Sequence, residues 1–283
     1  MPTDLALIAY SSQLRKIAAD ATRLVAADLV TAFRATMDID FKRDQHDPVT
    51  VHDKRAEQRI AEHLTAAVPG SAIMGEEGGL RAGDSGVTWY VDPIDGTANF
   101  AHGLAFFCTS IGAVVDGVIV AGAVLDPMAD TLFTADLEGA YLNGEPIRST
   151  GVTDEARAML ITSYPDSRSV VNDGPDGLAM YAELVTAYGT VRRPGSAALS
   201  LAHVAAGWAD ATLGTSVSAW DICAAKLIVE QAGGSYHGFG GEGWDQPGYA
   251  AYTGQLRPEA LRKFVSTYSS SYGFPGGQVG SQW

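Results

Sequence analysis

The stretch Trp89-Tyr90-Val91-Asp92-Pro93-Ile94-Asp95-Gly96-Thr97 decides how this chain is read. Thr88 to Val91 is a short β-like run that ends in acids. An Asp-Pro-Ile-Asp turn at a strand end can aim two carboxylates and one carbonyl at the same point. Pro93 fixes φ and has no backbone donor to lose. Gly96 permits close approach of the backbone. Gly96 and Thr97 would then start a helix, whose free N–H groups suit a phosphate. Two other places gather acids at element ends: Gly75-Glu76-Glu77-Gly78-Gly79, and Trp220-Asp221 opening a helix. Hard divalent cations such as Mg²⁺ take oxygen ligands and keep several waters. Each segment alone also suits a plainer role. Asp-Xaa-Xaa-Asp-Gly is a common turn composition, Glu-Glu-Gly is a common surface loop, and Asp221 could be a helix N-cap.

Outward from that stretch the chain alternates. Residues 5–35 carry Leu5, Ile8, Ile17, Ala21, Leu24 and Val25 at helical spacing, which predicts one or two amphipathic helices. The polar run from Lys42 to Thr50 reads as a loop or hairpin. Asp53 to Ala67 reads as a helix stopped at Pro69-Gly70. Leu104 to Leu125 is long enough to suit a membrane span, but Asp116-Gly117 cuts it into two core strands of a hairpin. Thr131 to Ala135 is a further strand, and Asn143-Gly144 turns a second hairpin over Tyr141 to Ile147. Beyond residue 150, strands at Leu160–Ser163, Thr190–Arg192, Ala209–Leu213 and Ser235–His237 alternate with helices at Leu178–Tyr188, Ser196–Ala206, Trp220–Gln231 and Pro258–Val265. Such alternation predicts layered α/β packing. We divide the chain into a lobe over 1–150, a second over 151–265, and a mobile or surface-draped tail over 266–283.

The 283 residues include 33 Asp and Glu against 19 Lys and Arg, a formal charge of −14. Phosphate backbones and anionic membranes are gripped by clustered Lys and Arg, so this balance argues against nucleic-acid and membrane partners. The two cysteines, Cys108 and Cys223, sit in apolar contexts and read as reduced core residues of a cytoplasmic protein. No basic segment followed by an apolar run opens the chain, so no signal peptide is expected. Trp89, Trp220 and Trp244 read as packing residues. The six histidines lack ligand spacing; His102, close behind the acidic turn, reads as a capping or packing residue.

Four segments, taken in order, carry a resemblance: DPVTVHDKRAEQRI, GEEGG, WYVDPIDGTANF and WDICAAKLIVEQAGG. The chain resembles the inositol monophosphatase family, Mg²⁺-dependent and lithium-sensitive phosphatases, from about residue 40 to 250. The resemblance implies an α/β fold, a layered alternating αβαβα sandwich shared with fructose-1,6-bisphosphatase. It implies two or three Mg²⁺ ions, a small phosphorylated metabolite as substrate, and a homodimer. Carried over residue by residue, Glu76, Asp92, Asp95 and Asp221 match metal ligands, and Ile94 matches a ligand through its carbonyl. Asp53 and Thr97 match the pair that orients the attacking water, with Glu76 in the catalytic set. Asp95, Gly96, Thr97, Ala197 and Asp221 match substrate-binding positions. Lys42 matches a lysine of a metal-proximal loop, and Glu77 a ligand or supporting position.

One departure bears on the substrate. Where inositol-phosphate enzymes place a hydroxyl-reading acid, seven residues before the Trp-Asp aspartate, this chain has Gly214. Ser216 and Ser218 are nearby candidates to replace it. Inositol phosphate, other polyol or sugar phosphates, histidinol phosphate and fructose 1,6-bisphosphate all remain open. Phosphoaspartyl phosphatases need Asp-Xaa-Asp, whereas Asp92 and Asp95 are three apart. A phospholigand-binding protein on the same fold is the rival outside enzymes; Asp53, Glu76 and Thr97 together argue against it.

Overall fold

Asp116 and Gly117 adopt φ of 50° and 83°, the pair of positive values that a tight two-residue hairpin requires. The apolar runs on either side pair antiparallel from Thr109 opposite Leu125 to Val115 opposite Val118. This hairpin is the centre of the larger of two main sheets. The computed structural model describes residues 4–35, 39–41 and 48–271. In order they form α1 (Asp4–Ala32), β1 (Ile39–Phe41), β2 (Pro48–Thr50), α2 (Val51–Ala67), β3 (Ala72–Gly75), β4 (Gly79–Arg81), β5 (Val87–Asp95) and α3 (Thr97–His102). Then come β6 (Cys108–Val115), β7 (Val118–Asp126), β8 (Thr131–Asp136), β9 (Gly139–Leu142), β10 (Glu145–Pro146), β11 (Met159–Thr162) and α4 (Ser167–Ala187). The chain continues as β12 (Thr190–Arg192), α5 (Ala197–Ala205), β13 (Ala211–Gly214), α6 (Ala219–Gln231), β14 (Ser235–Phe239), β15 (Gly248–Tyr252) and α7 (Glu259–Ser271).

The large sheet has the order β10-β9-β8-β7-β6-β5-β3-β4, and the second has the order β12-β11-β13-β15-β14. Side chains alternate across each strand, so each sheet needs cover on both faces. On one face of the large sheet, Leu14, Ala18, Ala21, Val25 and Leu29 of α1 pack with Ile60 and Leu64 of α2 against Trp89, Val91, Ile111 and Ala113. On its other face, α5 and α6 pack between the two sheets, burying Leu199, Leu201, Ile222 and Ile228 with Val124, Phe133, Tyr249 and Ala251. On the far face of the second sheet, Leu184 of α4 and Leu261, Phe264 and Val265 of α7 cover Leu160, Leu213 and Ala250. The result is the five-layer αβαβα sandwich expected from the sequence.

Several boundaries differ from expectation. The apolar stripe of residues 5–35 forms one helix, α1, and not two. The expected strand at 88–91 runs on through both aspartates to Asp95. The helix expected from Leu178 begins at Ser167, capped by Asp166; Gly174 interrupts it with non-helical backbone, and Pro175 follows. β15 was not anticipated, because Gly248-Tyr-Ala-Ala-Tyr252 lacks a run of β-branched residues. α7 continues to Ser271, so the first six residues assigned to the tail are helical. Lys42, His46 and residues 272–283 lie outside the described residues. No described helix is long and apolar enough to cross a membrane.

Candidate active site

Asp92 and Asp95 are three residues apart. In a regular strand their side chains would leave opposite faces of the sheet. Along β5 the register slips: Asp92 lies opposite Ser110 and Asp95 opposite Cys108, so three steps on β5 span two on β6. The bulge contains Pro93, which has no N–H to give the ladder, and bulges re-aim side chains in this way. The Pro93 carbonyl instead accepts from Thr109 Oγ1 at 2.9 Å, and Ile94 N donates to Asp92 Oδ1 at 3.0 Å.

Asp221 comes from the first turn of α6. That helix rests on Gly112 and Gly122, register partners on β6 and β7. A Cβ on Gly112 would lie 2.4 Å from Cys223 Sγ, and one on Gly122 would lie 2.8 Å from the backbone of Ala224. The glycine pair therefore sets the depth at which α6 docks, and with it the position of Asp221. Ser218 N donates to Asp221 Oδ2 at 2.7 Å, so Ser218 serves the helix start.

One carboxylate oxygen from each of Asp92, Asp95 and Asp221 lies within 4.8 Å of the others. Burial raises the pKa of all three. Asp92 stands well above the usual carboxylate range, through burial first and then the charges of Glu76, Asp95 and Asp221. Asp221 is pushed up to about 8 by burial and then by Asp95. Asp95 is raised by burial, against hydrogen bonds that favour its charged form. Those bonds come from the start of α5: Ser196 Oγ, Ala197 N at 3.3 Å and Ala198 N at 2.7 Å. Asp92 and Asp95 are buried and Asp221 is half-buried; acids that resist their own ionisation in this way fit a divalent cation, whose charge would reverse that resistance. An oxygen-only donor set fits Mg²⁺.

The other expected residues fall around this cluster. The Glu76 side chain hydrogen-bonds Asp92 but is not one of the three that converge. Ile94 is fully buried, and its carbonyl accepts from Thr97 Oγ1 at 2.9 Å. Thr97 Oγ1 also lies 3.1 Å from Asp53 Oδ1. Asp53 completes the capping box of α2, whose N-cap is Thr50: its Oδ2 accepts from Thr50 N at 2.8 Å and Thr50 Oγ1 at 2.6 Å. Burial lifts Asp53 to about 6, against those two hydrogen bonds, with Glu77 and Glu76 adding a smaller push. Gly96, at φ 95°, precedes α3, which is only six residues long. His102 Nδ1 lies 2.8 Å from the Ala98 carbonyl, a local helix contact.

Ala197 lines a cavity of about 160 Å³ beside Asp95 and Asp221, with Ser196, Ser200, Thr212 and Tyr249. Gly214 lies just behind its wall. Gly214 and Tyr249 are opposite each other on β13 and β15. A Cβ on Gly214 would stand 2.5 Å from Tyr249 Cε1. Substituting glutamate at Gly214 alone therefore collides with the tyrosine ring, a constraint the sequence did not reveal. Ser216 lines the same cavity.

Sequence reasoning missed three residues. Glu57, nearly fully buried, accepts from Glu77 N at 2.7 Å and Gly78 N at 2.8 Å, and so holds the loop that carries Glu76. Its signal was the i, i+4 spacing from Asp53, two acids on one inward helix face. Ser196 anchors Asp95, and its signal was an N-cap serine. Asn99 Nδ2 donates to the Phe106 carbonyl at 2.7 Å and to the Pro194 carbonyl, tying α3 to the loop before α5; nothing local in the sequence marks it.

Comparison with known proteins agrees on the family and the fold. The sequence profile of the Inositol monophosphatase family matches residues 11–267. Inositol-1-monophosphatase SuhB of Mycobacterium tuberculosis is 42% identical over 202 residues, covering 68% of this chain and 69% of that protein. Nus factor SuhB of Pseudomonas aeruginosa is 40% identical over 204 residues, covering 71% of this chain and 75% of that protein. Among solved structures, extragenic suppressor protein SuhB from Bartonella henselae superposes with a TM-score of 0.79 at 29% identity, over 90% of this chain and 98% of that one. An IMPase from Thermotoga maritima gives a TM-score of 0.78 at 29% identity, over 90% and 97%. With its five layers, its convergent aspartates and a profile match across most of its length, this chain belongs to the inositol monophosphatase family.

Proposed function

We propose that the chain is a Mg²⁺-dependent phosphatase that hydrolyses a small phosphate monoester of a polyol or sugar by direct attack of water. The observation that carries this reading is the convergence of Asp92, Asp95 and Asp221 beside a Thr97–Asp53 hydrogen bond. Asp92, Asp95 and Asp221 would hold the cation, with Glu76 against Asp92. Bound Mg²⁺ supplies the positive charge that lets a phosphate dianion approach an acidic cluster and that acidifies water. The single proton of Thr97 Oγ1 is shared between Asp53 Oδ1 and the Ile94 carbonyl, which leaves the hydroxyl's lone pairs to accept a hydrogen bond from a water and align it for attack. Asp53, at about 6, is ionised at neutral pH and accepts the hydrogen bond from Thr97. Water attacks phosphorus as the ester P–O bond breaks; the products are the free alcohol and inorganic phosphate, with no covalent enzyme intermediate. Ala197, at the start of α5, faces the cavity in which the alcohol would sit.

Lithium inhibition, a homodimer and a cytoplasmic location belong to the same reading, and family membership is what supports them. The name of the Pseudomonas relative favours a second role, in transcription. The charge of −14 directs such a role toward a protein partner and away from a direct grip on nucleic acid. The test of the main reading is release of phosphate from a panel of phosphorylated polyols with and without Mg²⁺. Metal-dependent release supports it; absence of turnover across the panel, with metal bound, supports a ligand-binding protein in its place.

A further inference from the structure

We propose that Tyr249 is the residue that reads the alcohol half of the substrate, and that this alcohol is neutral and hydroxylated; the inference rests on the phosphatase reading above. Residues 212, 214 and 249 share one face of the second sheet, because Gly214 lies opposite Tyr249 and Thr212 is two residues along. The ring leans over Gly214, where a Cβ would meet it at 2.5 Å and have to displace it, and stacks on Tyr236 at 5.9 Å between centroids and 11° between planes. The glycine at 214 leaves the ring its place, and the stack on Tyr236 holds it there.

The ring is nearly fully buried, yet it lines the cavity that Asp95, Asp221 and Ala197 also line. Its hydroxyl has a long contact, 3.4 Å, to Thr212 Oγ1. A bond of that length leaves the phenol able to donate to and accept from a ligand oxygen. Apart from Asp95 and Asp221, which a cation would claim, the polar side chains around it are the hydroxyls of Thr162, Ser163, Ser196, Ser200, Thr212 and Ser216. A wall of neutral hydroxyls pairs with the hydroxyls of a polyol and offers no fixed counter-charge to a cationic amino alcohol.

The experiment compares glycerol 2-phosphate with p-nitrophenyl phosphate, whose ring has no alcohol hydroxyl, on the full chain with Mg²⁺. The readout is the ratio of the two kcat/KM values. Tyr249→Phe keeps the ring and removes the hydroxyl, and should lower this ratio about tenfold, the scale of one lost hydrogen bond. Gly214→Ala, which pushes the ring aside, should lower it in the same direction and serves as the second variant if the first does not fold. A ratio within twofold of wild type in the folded variants overturns the assignment of Tyr249 while leaving the phosphatase reading intact. No hydrolysis of either ester by the wild type overturns both.

Discussion

The two walls of the candidate site are built by different means. The phosphate-facing wall is a set of acids placed by short segments: a bulge around Pro93 turns Asp92 and Asp95 the same way, and a helix start presents Asp221. The alcohol-facing wall is a cross-strand pair, Gly214 and Tyr249, whose members are 35 residues apart and meet only when β13 and β15 pair. The first wall is acidic, and burial and mutual repulsion hold its acids back from ionising; the second is neutral and close-packed. The difference teaches that a resemblance carried by short segments speaks to the first wall residue by residue. The second depends on what lies opposite, so a change at one strand is read only with its partner.

The largest expected effect falls on the charged wall. Asp221→Asn should reduce turnover at least about 1,000-fold, since a lost cation ligand removes stabilisation made in the transition state, and the circular dichroism spectrum should stay that of the wild type. Unfolding of this variant would mean that Asp221 is structural and that the comparison is misdrawn. Next in size is Glu57→Gln, which weakens the support under the Glu76 loop. It should cost about 10–100-fold in activity at limiting Mg²⁺, as outer-shell changes do, with partial recovery at high Mg²⁺. An equal loss at all Mg²⁺ concentrations would show that Glu57 acts on something other than the metal side.

Smaller effects concern stability. Asp221, raised to about 8, and its raised neighbours contribute to metal-free stability below the unfolded carboxylate range, and that contribution is lost as pH rises through the folded values. The metal-free protein should therefore lose stability as pH climbs from about 4 toward 8 at these groups, and the gain in Tm on adding Mg²⁺ should be larger at pH 8 than at pH 6. Equal gains at both pH values would contradict the charge frustration assigned to this wall. On the neutral side of the middle layer, His203 is lowered to about 4 by burial, packed against Phe106, Phe133 and Trp208. Its depressed value means stability is present above about 6.5 and is lost as pH falls toward 4. His203→Phe should flatten that acid limb by a small amount, measured as Tm against pH; an unchanged limb would show that other groups set it.

Much of this was legible in the sequence where the signal is local. Asp116-Gly117 marked the hairpin, and DPIDGT with the later Trp-Asp marked the acids, because turn chemistry and carboxylate clustering are carried by adjacent residues. The bulge was hidden: the sequence suggests a turn after Val91, while the backbone stays paired through Asp95. β15 was hidden because its glycine and alanines pack between neighbours and do not announce a strand. Tyr249 was hidden with it. Glu57 lay in plain view inside a quoted segment, but its role appears only when the loop at 76–78 folds back onto α2.

The central claim, that Asp92, Asp95 and Asp221 form a cation site used for phosphate ester hydrolysis, is tested most directly by one titration. Phosphate release from glycerol 2-phosphate is followed in wild-type protein after exhaustive chelation, during Mg²⁺ addition, and again after excess chelator. The account predicts no turnover without Mg²⁺, a saturable rise as it is added, and full reversal on chelation. Turnover that survives chelation undiminished would contradict it.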